Sequence, residues 1–221
     1  MDSSMDKIWE DIHKTQIWGG YPAEHVIRFV ARNYYKKNRK NIKILDFGCG
    51  CGSHTWFLAR EGFDTYAFDG SHYAVKNAER KLTEENLLAN FSVSDGLNIG
   101  YDENFFDAVI DNVCIYANIL QNIEKMYRNI YRVLKKNGKL LTVCFGKRTY
   151  GYGHGKKLEE DTFTDITDGP LCRRGVSHFF EEDSIREILE SIGFRVLFID
   201  TILYSDRGNW VQQYAVQAQK V

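Results

Sequence analysis

Two prolines in 221 residues, Pro22 and Pro170, leave no proline-rich linker, and neither a repeat nor a low-complexity tract takes its place. The chain also lacks an excess of either charge. Its 29 Lys and Arg oppose 30 Asp and Glu, a formal net charge of −1, so no overall field draws it to nucleic acid or to an anionic membrane. No apolar run approaches the roughly 20 residues of a membrane span. The opening stretch, 1–14, is polar and of mixed charge, unlike a secretory signal. The five cysteines contain no C-x-x-C pair and no three-cysteine cluster, so no metal site is expected and they read as reduced thiols of a cytoplasmic protein. No glycine loop ends in Lys followed by Ser or Thr, which excludes the phosphate loop of nucleotide hydrolases. With 43% hydrophobic and 27% charged residues, the chain suits one globular domain with a sizeable core.

What is present is concentrated at Ile44-Leu45-Asp46-Phe47-Gly48-Cys49-Gly50-Cys51-Gly52-Ser53-His54. A short apolar run ends in an acid, and glycines then alternate with other residues. The run 43–47 reads as a buried strand and 53–60 as the helix after it. Glycines at such a turn let the backbone bend sharply and let a ligand lie on the main chain. A side chain at Gly48, Gly50 or Gly52 is expected to fill that ligand space. The spacing is G-x-G-x-G, so the third glycine of the dinucleotide fingerprint is missing. An acid just before the glycines suits a ligand carrying positive charge.

The rest of the chain alternates. Strands are expected over 64–69, 90–94, 105–110 and 140–145. Ser71 reads as the N-cap of a helix that buries Ala74, Val75, Ala78 and Leu82. A stripe of Ile119, Ile123, Met126, Tyr127, Ile130 and Leu134 marks another helix, with Gly138 as its stop signal. Ile185, Ile188, Leu189 and Ile192 mark a third, closed by Gly193. The last strands, 194–202 and 210–218, are separated by a short turn and should form an antiparallel hairpin. The fold class is therefore α/β: a Rossmann-like, seven-stranded, mostly parallel sheet with a final antiparallel strand and helices on both faces.

The run Asp46 to Gly52 resembles motif I of the class I S-adenosylmethionine-dependent methyltransferases, whose standard form is D-x-G-x-G-x-G. The resemblance extends over about 42–221. Leu134-Lys135-Lys136-Asn137-Gly138 stands where such proteins usually read L-K-P-G-G, and 179–194 resembles a segment of the small-molecule, type 11 subgroup. The cofactor implied is S-adenosylmethionine, with S-adenosylhomocysteine as product. The residues implied to hold it are Asp46, Gly48, Cys49, Gly50 and Gly52 in the loop, and Asp69 with Gly70 and Ser71 at the end of the second strand. Asp69 lies 23 residues beyond Asp46, where an acid can accept both ribose hydroxyls. Asp95 and Gly96 follow the third strand on the adenine side. Asp111 and Asn112 follow the fourth, beside the methionine portion. Tyr21, in Trp18-Gly19-Gly20-Tyr21-Pro22, is a further cofactor contact on a flexible strip.

Such an enzyme holds an acceptor in line with an already activated methyl group, and needs a base only where the acceptor must lose a proton. The segment 146–177 is too long for an ordinary loop between strand and helix. It is expected to cap the substrate, and its His154 and the nearby His178 are the candidate bases. Lys147, Arg148, Arg173 and Arg174 favour an anionic small-molecule acceptor, methylated on oxygen or nitrogen. The domain expectation is a helical lid region over 1–41 and a methyltransferase domain over 42–221. RNA or protein methylation, a nicotinamide oxidoreductase of the same fold, and a non-catalytic S-adenosylmethionine-binding protein are the competing readings. The basic stretch 32–43, with Tyr34 and Tyr35, is read as a solvated helix end. Asp111-Asn112-Val113-Cys114 lacks the prolines of the D-P-P-Y motif of DNA amino-methyltransferases.

Overall fold

The computed structural model describes residues 5–16 and 20–221. Trp18 and Gly19 of the expected flexible strip lie outside the described residues. Two helices, Ile8–Thr15 (α1) and Glu24–Tyr34 (α2), precede the first strand, Lys43–Phe47 (β1). Helix and strand then alternate as the apolar periodicity predicts: Ser53–Arg60 (α3), Asp64–Asp69 (β2), His72–Glu84 (α4), Asn90–Val93 (β3), Phe106–Asn112 (β4), Leu120–Val133 (α5) and Leu134–Phe145 (β5). Three short strands follow: Lys156–Glu159 (β6), Thr162–Thr164 (β7) and Ser177–His178 (β8). Helix Glu182–Ile192 (α6) leads into the closing hairpin, Phe194–Asp206 (β9) and Asn209–Lys220 (β10).

The main sheet has seven strands in the order β3-β2-β1-β4-β5-β10-β9. The first five pair in parallel, and β10 runs antiparallel to both β5 and β9. Chain order reverses between β1 and β4, which leaves a crevice at their carboxyl ends. Alternation along the strands builds two cores. Ile44, Ala108, Ile110, Leu141 and Val143 pack with Val26, Phe29 and Val30 of α2 and Leu58 of α3. Leu45, Phe47, Val109, Leu140 and Cys144 face the other way, against Ile123, Met126, Tyr127 and Ile130 of α5 and Ile185 and Leu189 of α6.

Two expectations need correction. Gly138 is not the stop of α5: the helix ends at Val133 and Leu134 is already extended. The chain bonds back to the sheet at once, with Phe105 N donating to Val133 O. The pairing register then jumps from Leu134 to Lys139, so 135–138 loop out with Asn137 left-handed. Gly52 does not line ligand space. It is left-handed (φ +77°) at the start of α3, and a Cβ there would lie 2.6 Å from Ala78 Cβ of α4. Its bareness is what lets α3 and α4 approach.

The insertion after β5 is ordered. Strand β7 pairs with β6 and β8 as a separate three-stranded sheet. Its Phe163, Ile166 and Leu171 join the larger core.

Gly52→Ala should therefore destabilise the fold by about 1–3 kcal/mol, the range for overpacking a tight contact. Chemical denaturation would measure it, and Ala78→Gly in the same chain should recover part of the loss. A wild-type midpoint for Gly52→Ala would refute the packing role.

Candidate functional site

A cavity of about 530 Å³ opens over the crevice, within the usual range for small-molecule sites. Its floor is the glycine loop. Gly48 and Gly50 are both left-handed, with φ of +69° and +51°. A Cβ on Gly48 would lie 2.1 Å from Cys114 Sγ, whereas one on Gly50 would meet only His13 Cε1, at 3.4 Å. The first glycine lets two loops touch, and the second leaves the floor bare. Cys49 is buried between them and also lines the cavity.

Asp69, at the end of β2, forms one wall. Its Oδ2 accepts from Gly50 N at 2.9 Å and its Oδ1 from Ser71 N at 2.8 Å. Burial raises its pKa, against those two backbone N–H groups and the nearby His13, which lower it. Ser71 lies behind this wall, where its hydroxyl caps α4 by accepting from Ala74 N. Gly70, Asp95 and Gly96 line the cavity beside it. Gly96 is pressed on Phe47 and Met126: a Cβ would lie 2.9 and 2.8 Å from their side chains.

Two more strand-end acids lie beneath the surface. Asp46 accepts from Thr55 Oγ1 at 2.6 Å, and burial pushes its pKa up to about 7. Asp111 accepts from Thr142 Oγ1 at 2.5 Å and from the backbone N–H groups of Cys114 and Ile115 at 3.0 and 3.2 Å. Burial pushes it up to about 6. Neither acid lines the cavity. Asp111 acts on the turn above it, where Val113 lines the cavity with φ of +54°. A β-branched residue is strained there, and the two N–H bonds to the carboxylate hold it. Asn112 does line the cavity, its Oδ1 accepting from His25 Nε2 at 2.5 Å.

The roof comes from segments remote in sequence. Met5, Trp9 and His13 arrive on and before α1. Helix α1 rests on α4, where Asn77 Nδ2 donates to His13 O at 3.2 Å. His13 Nδ1 stands 3.7 Å from Cys51 Sγ. Pro170, Leu171 and Arg174 arrive from the insertion, and Arg174 Nε donates to Pro170 O at 3.1 Å. The two parts of the roof meet: a Cβ on Gly175 would fall 2.3 Å from Asp6 Oδ2. Tyr21 stands at the rim, 84% exposed, edge-on to Trp56.

His154 and His178 are not at this site. His154 is exposed and bonded to Asp168, Nδ1 to Oδ2 at 3.3 Å. His178 is buried in the small sheet, its Nδ1 2.7 Å from Thr162 Oγ1. Strand pairing points it inward, and burial lowers its pKa. Lys147 is also turned away, bound to Asp161 at 2.7 Å and Glu181 at 3.6 Å. Of the four cationic residues noted in the insertion, Arg174 reaches the cavity. The imidazoles that do line it are His13 and His54. Burial lowers both, His54 to about 4. His54 Nε2 accepts from Ala23 N at 3.3 Å, which places its proton on Nδ1.

Residues 45–142 match a family model described as a methyltransferase domain. Phosphoethanolamine N-methyltransferase 2 of Caenorhabditis elegans is 31% identical over 139 residues, 58% of this chain and 31% of that protein. This chain therefore spans about a third of the nematode protein's length. A ubiquinone biosynthesis O-methyltransferase of Rickettsia akari is 27% identical over 187 residues, 84% of this chain and 71% of that one. The crystal structure of an S-adenosylmethionine-dependent methyltransferase from Methanosarcina mazei superposes with a TM-score of 0.73 at 22% identity, over 87% of this chain and 97% of that one. It shares the fold. Among the described residues no helix is long and apolar enough to cross a membrane.

The buried His54 makes stability pH-dependent. The unfolded chain takes up a proton at this residue near pH 6.5, the ordinary histidine value, and the folded chain only near pH 4. Its contribution to stability is therefore lost as pH falls through that window. His54→Gln removes the contribution and leaves every other titrating group in place. The variant's melting-temperature deficit at pH 7.5 should narrow on acidification toward pH 4.5. A deficit constant with pH would show that His54 titrates normally.

Proposed function

We propose that this chain, whose residues 45–142 match a methyltransferase-domain model, is a class I, type 11-like methyltransferase that moves a methyl group from S-adenosylmethionine to an oxygen or nitrogen of a small-molecule acceptor. The observation that carries this is the placement of Asp69 on the wall of a cavity floored by the left-handed backbone of Gly48 and Gly50. That arrangement suits a nucleoside lying on main chain with its ribose hydroxyls toward a carboxylate. Asp69 would take the ribose, Asp95 and Gly96 the adenine side, and the Gly48–Gly50 loop with Asn112 and Val113 the methionine side. When bound, the cofactor supplies a methyl group already activated by its sulfonium.

The protein's own residues then hold the acceptor. Beyond the glycine loop the cavity is walled by Trp9, Tyr116, Phe145, Leu171 and Pro170, with Asn118 and Arg174 as polar groups. Apolar rings with one guanidinium suit a compact acceptor bearing an aromatic or aliphatic body and an anionic group. The insertion supplies Arg174 and so acts as the substrate cap. Where the acceptor must lose a proton, His13 is the base, because burial keeps its imidazole neutral and able to accept. The roof of α1 and insertion excludes water from the transfer. The relatives' names cover both methylation of nitrogen and methylation of oxygen, which agrees with a site that positions rather than activates.

Calorimetry with S-adenosylhomocysteine tests the cofactor half. Binding is expected, and Asp69→Ala should weaken it roughly tenfold to a hundredfold, the loss of a charged hydrogen bond. Wild-type affinity in that variant would remove the ribose assignment. The acceptor half is tested by adding benzoate or inorganic phosphate to the protein saturated with S-adenosylhomocysteine. Either should raise the melting temperature, and Arg174→Gln should abolish the rise while leaving S-adenosylhomocysteine affinity unchanged. Lost S-adenosylhomocysteine affinity would instead assign Arg174 to the cofactor's carboxylate.

A further inference from the structure

The two edges of the main sheet are unlike. Strand β3 has 4 residues, whereas β9 has 13 and pairs on one side with β10 alone. Short edges resist pairing with other chains; long ones bearing apolar side chains invite it. Edge β9 leaves Phe198 64%, Tyr204 44% and Leu203 38% exposed. Residues 194–206 contain neither lysine nor proline, two of the usual guards of an edge, and their charges are Arg195, Asp200 and Asp206.

The pairing of β9 with β10 fixes which of its side chains share a face. A bulge falls between Val196 and Phe198, since Ala218 pairs with the first and Gln217 with the second. In consequence Arg195, Phe198, Tyr204 and Asp206 lie on one face, and Ile199, Thr201 and Leu203 on the other. We propose that β9 is a homodimer interface, where two copies pair antiparallel about a two-fold axis through Thr201 and join their sheets. This rests on the sheet edge and not on the methyl-transfer reading.

The register follows from self-complementarity. With Thr201 on the axis, Phe198 of each copy falls opposite Tyr204 of the other, and Ile199 opposite Leu203. Directly opposed residues must share a face in an antiparallel pair, and each of these does. Beyond the bulge, Arg195 falls opposite Asp206, twice by symmetry. Within one copy Arg195 bonds to the neutral amide of Gln219, so its charge finds an opposite partner in the second copy. One register thus pairs aromatic with aromatic, aliphatic with aliphatic and cation with anion, and sets Asp200 opposite Ile202 and Val196 opposite Ser205 between them. An isologous contact of this kind closes on itself as a dimer and does not propagate.

Native mass spectrometry and light scattering of the full chain at micromolar concentration should give a dimer. Phe198→Glu, at an exposed position, should give a folded monomer. Arg195→Asp and Asp206→Arg should each weaken the dimer about tenfold, with the double exchange restoring it. Thr201→Cys should form a disulfide-linked dimer under mild oxidation with glutathione disulfide. Asp200→Cys, off the axis, should not, and neither should wild type with its own five thiols. A wild-type monomer, a dimer indifferent to Phe198→Glu, or equal cross-linking at 200 and 201 would each overturn the proposal.

Discussion

The site depends on the carboxylate of Asp69 having two backbone partners. A carboxylate at the buried end of a strand loses its hydration, and it is stable there only where N–H groups replace the water. Gly50 and Ser71 supply them, from the glycine loop and from the turn into α4. One side chain therefore ties the floor of the cavity to its wall, across elements separated by a strand and a helix. The same loop is held on β2 by Cys49 N donating to Phe68 O at 2.8 Å, and Gly52, lacking a Cβ, lets α3 sit close to Ala78 of α4.

Asp111 repeats the device one strand over, with a different result. Its partners are a hydroxyl behind it and two N–H groups in front. Together they hold Val113 where a β-branched residue would not otherwise rest. The turn then delivers Cys114 against Gly48, so the glycine loop is braced from both sides. Tyr127 extends the chain of bonds through Thr142 into the core. The geometry of the cavity is thus set by buried polar groups beneath it, and the residues on its surface inherit their positions.

The sequence made the scaffold legible because its signals are local. Apolar alternation marked the strands, the Ser71 cap marked α4, and the two-residue turn at Arg207 and Gly208 gave the hairpin. Acids at strand ends likewise led to Asp69 and Asp95. Local signals could not say whether an acid faces the cavity or the core: Asp69 is the last residue of β2, while Asp46 and Asp111 each stand one residue before the end of their strands and turn inward. The same signals placed a helical lid region over 1–41 but gave no site role to Trp9 and His13 of α1, which are interleaved there with Glu10, Asp11 and Lys14. The sequence points to His154 and His178 because they lie in and beside the insertion. Proximity along the chain says nothing about the face a strand presents, and the pairing of β7 with β8 turned His178 away from the cavity.

A roof made from an eight-residue helix carries a thermodynamic price. A helix that short has little stability of its own in water and holds its shape through the surfaces it touches. Its seat on α4 and the insertion is therefore an equilibrium, and only the seated fraction presents Trp9 and His13 to the cavity. Apparent affinity for any ligand that uses those residues is the intrinsic affinity scaled by that fraction. Substitutions on the outer face of α1, or at Asn77, would thus change binding by altering how often the site exists, with no ligand contact altered.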